Sequence, residues 1–252
     1  MERNPRKKGH DCKPRKVYGL HAVQEHLRAL PRTVQELYLL PSLKGTPVEH
    51  LAREAGIPVR YETQTFFDVF AQGGVHQGIA ALLRPFPYVS LQAILEKEAD
   101  LLLVLDGILD PRNLGALLRT AEAAGVGGVI LTKDRSAPLS PLAEKTAAGA
   151  TAYLSICRVE NLARALVSVR EAGYWLVGLA PDAEQTLYDL DLSRRIALLL
   201  GGEGKGLRSL TRRKCDCLVA IPMLGRIKSL NVSAACAVSL YEFLRRRRPS
   251  EL

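Results

Sequence analysis

The 252-residue sequence lacks the marks of several protein classes. No apolar run approaches the roughly 20 residues that a membrane-spanning helix needs, which argues against a membrane partner. The opening stretch MERNPRKKGHDCKPRK has no apolar core of a secretory signal, so a cytoplasmic location is expected. Cysteine is scarce and scattered, at Cys12, Cys157, Cys215, Cys217 and Cys236. No pair has the C-x-x-C spacing of a zinc site and no histidine lies near Cys215 and Cys217, so no metal is expected and the compartment reads as reducing. Negative charge is in deficit as well, with 26 acidic against 35 basic residues and a net charge of +9.

The surplus is unevenly placed. Residues 1–16 carry Arg3, Arg6, Lys7, Lys8, Lys13, Arg15 and Lys16 against Glu2 and Asp11, and residues 245–252 carry Arg245, Arg246, Arg247 and Arg248 against Glu251. The middle of the chain is close to neutral. Basic ends of this kind fit a polyanion such as RNA, or serve simply as solubilising tails. Apolar residues at 47% and charged residues at 24% are ordinary for a soluble globular protein.

Two regions alternate between helical and strand patterns. Residues 17–84 read as a small α/β unit: helix GLHAVQEHLRAL, strand TVQELYLL, helix PVEHLAREAG, strand IPVRYE, helix TFFDVFAQ and strand HQGIAALLR. Pro85 and Pro87 break regular structure, and residues 85–99 read as a linker. Residues 100–248 alternate more strongly, beginning with the apolar run LLLVLD and ending in a long helix from Ser229; residues 249–252 form a tail. Apolar strands alternating with helices predict a parallel sheet with helices on both faces, and such sheets bind ligands beyond the carboxyl ends of their strands. The loops after Leu105, Leu179, Leu200 and Pro222 are therefore the candidates.

One of them, LLLGGEGKGLR, places four glycines within six residues. It is not a P-loop, because position 199 is Leu and Lys205 is followed by Gly206 rather than Ser or Thr. Nor is it the G-x-G-x-x-G of a dinucleotide fold, since its spacing is G-x-G-x-G and it lies late in the chain. Glycines permit close backbone approach to a ligand, and they equally permit a tight turn. A second cluster, DPRNLGALLRTAEAAG, puts Asn113 where a helix cap is expected and Arg119 on an otherwise small and apolar helix, where Glu122 could pair with it. The third, IPMLGRIKSLNVSAACAV, sets Ser229 and Asn231 at a helix start, as caps or as site residues.

In this order and at strand ends, the three clusters resemble the three motifs of the SpoU/TrmH branch of the SPOUT RNA methyltransferases. VYGLHAVQEHL and GGVHQGIAALLRP are similar to the small substrate-binding domain of members that methylate a guanosine ribose in 23S rRNA. The resemblance spans roughly residues 17–246. It implies an α/β domain whose last segment threads a deep trefoil knot, a homodimer, and a ribosomal-protein-like RNA-binding domain at the N-terminus. It implies that S-adenosyl-L-methionine is held by Leu179, Ala180, Leu200, Gly201, Gly202, Ile221, Met223 and Leu230. It sets Asn113, Arg119, Glu203, Ser229 and Asn231 around a ribose 2′-OH, with Glu203 orienting Arg119 or the cofactor side and no metal required. Arg is a poor base because its pKa exceeds about 12, so phosphate anchoring and electrostatic activation by Arg119 are the preferred role. A tRNA ribose methyltransferase, a resistance-type enzyme acting on another 23S ribose, and a catalytically silent RNA-binding factor are the rival readings.

Overall fold

In a computed structural model of the chain, residues 13–247 are described. Cys12, Arg248, the 249–252 tail and most of the N-terminal basic stretch lie outside them. The described residues form two compact units that do not follow chain order: one holds those up to Pro87 together with Leu139–Tyr153, the other Tyr88–Pro138 and residues 154–247.

The first unit contains β1 (Arg15–Tyr18), α1 (Leu20–Ala29), β2 (Val34–Leu39), α2 (Pro47–Glu54), β3 (Val59–Tyr61), α3 (Gln64–Phe70) and β4 (Ile79–Leu83). Its sheet runs β1-β4-β2-β3, with β4 antiparallel to both neighbours and β2 parallel to β3. Side chains alternate across a strand. Val17, Leu37, Ile79, Ala81 and Leu83 accordingly join α1 and α2 in one core, while Tyr18, Tyr38 and Ala80 meet Phe67 and Phe70 of α3 in another. Strand β1 was not foreseen from the sequence: four residues beginning Arg-Lys carry too little pattern to separate from the helix that follows.

The second unit contains α4 (Leu91–Leu95), β5 (Leu101–Asp106), α5 (Pro111–Ala123) and β6 (Gly128–Thr132). Helix α6 (Pro141–Ala147) then belongs to the first unit. The second resumes with β7 (Ile156–Val159), α7 (Leu162–Glu171), β8 (Trp175–Leu179), β9 (Gln185–Thr186), β10 (Ile196–Gly201), α8 (Ser209–Lys214), β11 (Cys217–Ala220) and α9 (Val232–Arg247). Its seven strands are all parallel, in the order β7-β6-β5-β10-β8-β11-β9. All six residues of β5 are buried, and each buried Leu or Val contributes about 1.5–3 kcal/mol. Helix α4 lies inside the stretch read as a linker; Ser90 caps it by accepting from the Ala93 N–H.

Helix α6 is tied into the first unit by a buried carboxylate. Glu144 is fully enclosed; its Oε1 accepts from Arg15 Nη1, and its Oε2 accepts from Thr151 Oγ1 at 2.6 Å and lies 3.4 Å from His26 Nε2. Burial alone would raise its pKa, but the His26 hydrogen bond, the charges of Arg15 and His26, and the Thr151 hydroxyl outweigh that and hold the carboxyl below its ordinary range.

The last helix also differs from the sequence reading. It begins at Val232, not Ser229, because Asn231 Oδ1 accepts from the Ser233 N–H at 2.8 Å and caps it. Arg245 pairs with Glu242 at 2.9 Å, Arg246 donates to the carbonyls of Tyr188 and Leu190, and Arg247 donates to those of Leu192, Arg194 and Asp100. Two of the four arginines read as a basic tail, Arg246 and Arg247, thus fasten α9 to its own unit, while Arg245 pairs within the helix. Burial pushes the thiols of Cys157, Cys215 and Cys236 up to about 12 and that of Cys217 to about 11, so all four stay protonated. Among the described residues no helix is long and apolar enough to cross a membrane, and no group of three or more His, Cys, Asp or Glu side chains could hold a metal ion.

Candidate active site

Strands β10, β8 and β11 are neighbours, and the chain leaving their carboxyl ends encloses a cavity of about 390 Å³. That lies within the range of about 300–1,000 Å³ for small-ligand sites. Leu179 and Ala180 line it at the end of β8, Leu200, Gly201 and Gly202 at the end of β10, and Ile221, Met223 and Leu230 on the segment between β11 and α9. These are the eight positions expected to hold a cofactor. Pro181, Lys228, Val232 and Ala235 also line it and were not foreseen. Lys228 stands beside Ser229 in the polar KS-N-S group, which was the available signal for it.

The glycines have a second explanation besides ligand approach. A Cβ on Gly201 would lie 1.9 Å from the Gly206 carbonyl carbon, and one on Gly202 would lie 2.2 Å from the Gly107 oxygen. Gly204 and Gly206 take positive φ, at 80° and 61°. The loop folds back on itself through the Gly206 N–H, which donates to the Gly202 carbonyl at 3.0 Å. All four glycines are required by the loop itself, and the result is a wall of bare main chain facing the cavity.

At the rim, polar side chains from three distant segments meet. Asp110, not Asn113, caps α5, its Oδ1 accepting from the Arg112 N–H at 2.7 Å. Asn113, three residues on, is thereby released from the helix end. Its Nδ2 donates to Glu203 Oε1, and its Oδ1 accepts from Asn231 Nδ2 at 3.1 Å. Asn231 in turn is fixed by Ser233, whose hydroxyl donates to Asn231 Oδ1 at 2.6 Å. Each amide nitrogen carries two hydrogens, so among the described residues Asn113 and Asn231 both keep an unused donor, and Glu203 keeps its second oxygen. Ser229 and Lys228 are exposed along the same cavity. Beyond Pro181, Arg212 grips Asp182 through two hydrogen bonds of 2.9 and 2.8 Å and holds its carboxyl below the usual range.

Arg119 is placed differently. It is exposed on α5 and does not line the cavity. Among the described residues it makes neither the pair with Glu122 nor one with Glu203. Glu203 is engaged with Asn113 instead, so the reading in which it orients Arg119 has no contact behind it within one chain.

The arrangement provides a main-chain and aliphatic cradle for a flat heterocycle, and beside it amide donors, a hydroxyl and a carboxylate able to hold a sugar. Residues 100–241 match the SpoU rRNA Methylase family, and residues 16–89 match the domain described as RNA 2′-O ribose methyltransferase substrate binding. The chain is 45% identical over 244 residues to the 23S rRNA (guanosine-2′-O-)-methyltransferase RlmB of Pseudomonas aeruginosa, covering 94% of this chain and 98% of that protein. It is 42% identical over 238 residues to the protein of the same name from Escherichia coli K12, covering 92% and 98%. An AdoMet-bound rRNA methyltransferase from Sinorhizobium meliloti superposes with a TM-score of 0.77 at 26% identity, covering 93% of this chain and 88% of that one. With more than half its length inside the family pattern and relatives above 40% identity over nearly all of it, this chain belongs to the SpoU rRNA methylase family.

Proposed function

We propose that the protein transfers a methyl group from S-adenosyl-L-methionine to the ribose 2′-OH of a guanosine in 23S rRNA. The observation that carries this is the juxtaposition of the main-chain cradle with the Glu203–Asn113–Asn231 network. The relatives at 42–45% identity, both named for that reaction, support the substrate. The cavity's lining suits the cofactor: Leu179, Leu200, Ile221, Met223 and Leu230 offer apolar surface, and Gly201, Gly202, Gly204 and Gly206 carry no side chain that would keep a heterocycle from the main chain.

The cofactor, when bound, supplies an electrophilic methyl group. The chain's own work is on the hydroxyl, which is a weak nucleophile near neutral pH and has to be aligned, its proton passing to solvent as the new C–O bond forms. The unused amide hydrogens of Asn113 and Asn231 and the Ser229 hydroxyl hold the ribose. Glu203 fixes the Asn113 amide. Arg119 anchors the adjacent phosphate and stabilises the oxyanion as it forms. Because Arg119 does not line the cavity of its own chain, the reading includes a homodimer in which a second copy helps to complete the site. The exposed Val238 and Tyr241 on α9 suit such pairing. The trefoil knot, the cytoplasmic location and the choice of RNA by the domain at 17–84 belong to the same reading.

The test is incorporation of labelled methyl from S-adenosyl-L-methionine into unmodified 23S rRNA and, in parallel, bulk tRNA, followed by digestion to find the modified nucleotide. A single 2′-O-methylguanosine in 23S rRNA is the expected product. Label confined to tRNA would keep the chemistry and overturn the substrate. Failure of a thermal shift with the cofactor would favour a silent RNA-binding protein, since a ligand of the native state must stabilise it.

A further inference from the structure

Two residues outside the cavity hold the glycine loop at both ends. In the parallel register of β5 and β10, Asp106 stands beside Gly201. The Asp106 carbonyl accepts from the Gly202 N–H at 3.1 Å, where the chain enters the loop. Its side chain, fully enclosed, accepts at Oδ2 from the Arg208 N–H at 3.1 Å, where the chain leaves it. Oδ1 accepts no hydrogen bond and has only the ionic contact with Arg208 Nε at 3.3 Å. The Arg208 guanidinium lies across Gly107, where a Cβ would come within 2.7 Å of Nη2, and Nη2 reaches on to the Arg135 carbonyl at 3.4 Å. Gly107 in turn abuts Gly202.

A buried carboxylate is tolerated only when it is paired. Here its pairing closes a ring through Asp106, Gly202, Gly206 and Arg208. Within that ring lies Glu203, the residue that fixes Asn113. Neither Asp106 nor Arg208 lines the cavity.

We propose that Asp106 and Arg208 form the tie that sets the glycine loop, and that Arg208 is a positioning residue for the site rather than a group that touches substrate. The rate readout rests on the methyl-transfer reading above; the structural readout does not.

The experiment compares the full-length protein with Arg208→Ala, Arg208→Lys and Asp106→Asn. Amide hydrogen exchange is followed in peptides covering 200–208 and, as internal reference, β6 and β7. Arg208→Ala is expected to speed exchange in 200–208 alone and to weaken S-adenosyl-L-methionine binding roughly tenfold by calorimetry, as losing a charge-assisted contact does. Turnover should fall by about a hundredfold, the effect of a misplacement on the order of 1 Å, with a smaller change in the KM for RNA. Lys should restore little, because an ammonium cannot bridge Asp106 and the Arg135 carbonyl together. If Asp106→Asn fails to fold, Arg208→Ala alone decides. Unchanged exchange in 200–208 overturns the proposal, and so does exchange that rises equally in β6 and β7, which marks general destabilisation. Should the wild-type protein take up no cofactor, the methyl-transfer reading fails, while the exchange contrast still decides the tie.

Discussion

Two glutamates, one in each unit, show how the same side chain becomes structure or site. Glu144 has no exposed surface, and Arg15, His26 and Thr151 occupy both its oxygens. Glu203 is exposed beside a cavity, gives one oxygen to Asn113 and keeps the other. The Glu144 carboxyl is held below its ordinary pKa range, yet nothing can reach it. A perturbed carboxylate marks function only where space and unused hydrogen-bonding capacity accompany it. The first cluster resists change; the second leaves room for a substrate to complete it.

The largest expected effect falls on the closed cluster. Glu144→Ala leaves Arg15 and His26 buried without their partner and should cost about 3–5 kcal/mol, read by denaturant unfolding. The pH dependence follows from the lowered native pKa. The contribution of Glu144 is complete above the ordinary Glu value of about 4.3 and is lost as pH falls through the lower native value. Stability of the wild type should therefore drop on acidification in that window, and Glu144→Gln should flatten the drop. An unaltered acid profile would show that the cluster holds no charge.

Next comes the open cluster. Arg119→Ala should lower turnover by on the order of 10²–10³-fold while leaving cofactor affinity and unfolding unchanged, since its side chain does not line the cavity and has no partner among the described residues. A matching loss of cofactor affinity would put Arg119 in the wrong place. Gly201→Ala sharpens the contrast from the main-chain side. Its methyl meets the Gly206 backbone, and overpacking of that kind costs about 1–3 kcal/mol. The expected readout is weakened cofactor binding with the first unit's unfolding unaffected. The smallest effect is Asp110→Ala. This carboxylate sits near the site, but its oxygen is occupied by a helix cap, so about 1 kcal/mol of stability should go while methyl transfer persists.

Much of the second unit was legible because most of its strands are continuous apolar runs and its helices α4, α5 and α7 are capped by Ser, Asp and Asn. The cavity lining was legible only through the resemblance: nothing in the spacing of Leu179, Gly201 and Ile221 says that β8, β10 and β11 are adjacent. What stayed hidden shares one cause. Asn113 meets partners 90 and 118 residues away, and Glu144 meets Arg15 across 129. Local pattern carries no information about such pairs. Local pattern puts Asn113 at a cap position because it is polar at a helix start, and only the resemblance places it in the site; Asp110, with Pro111 behind it, is the cap. The apolar run LLLVLD ends in an Asp that reads as a turn residue, although its side chain is enclosed beneath the loop.

The membership of residues 139–153 in the first unit has a consequence for recombination. A crossover near Pro87 would appear to exchange a complete RNA-binding module between relatives. It would instead separate Arg15 and His26 from the glutamate they enclose, and strand a buried charge in the recipient. A chimera that keeps its stability should need both pieces from the same parent, so that these two stretches, far apart in the chain, are inherited as one.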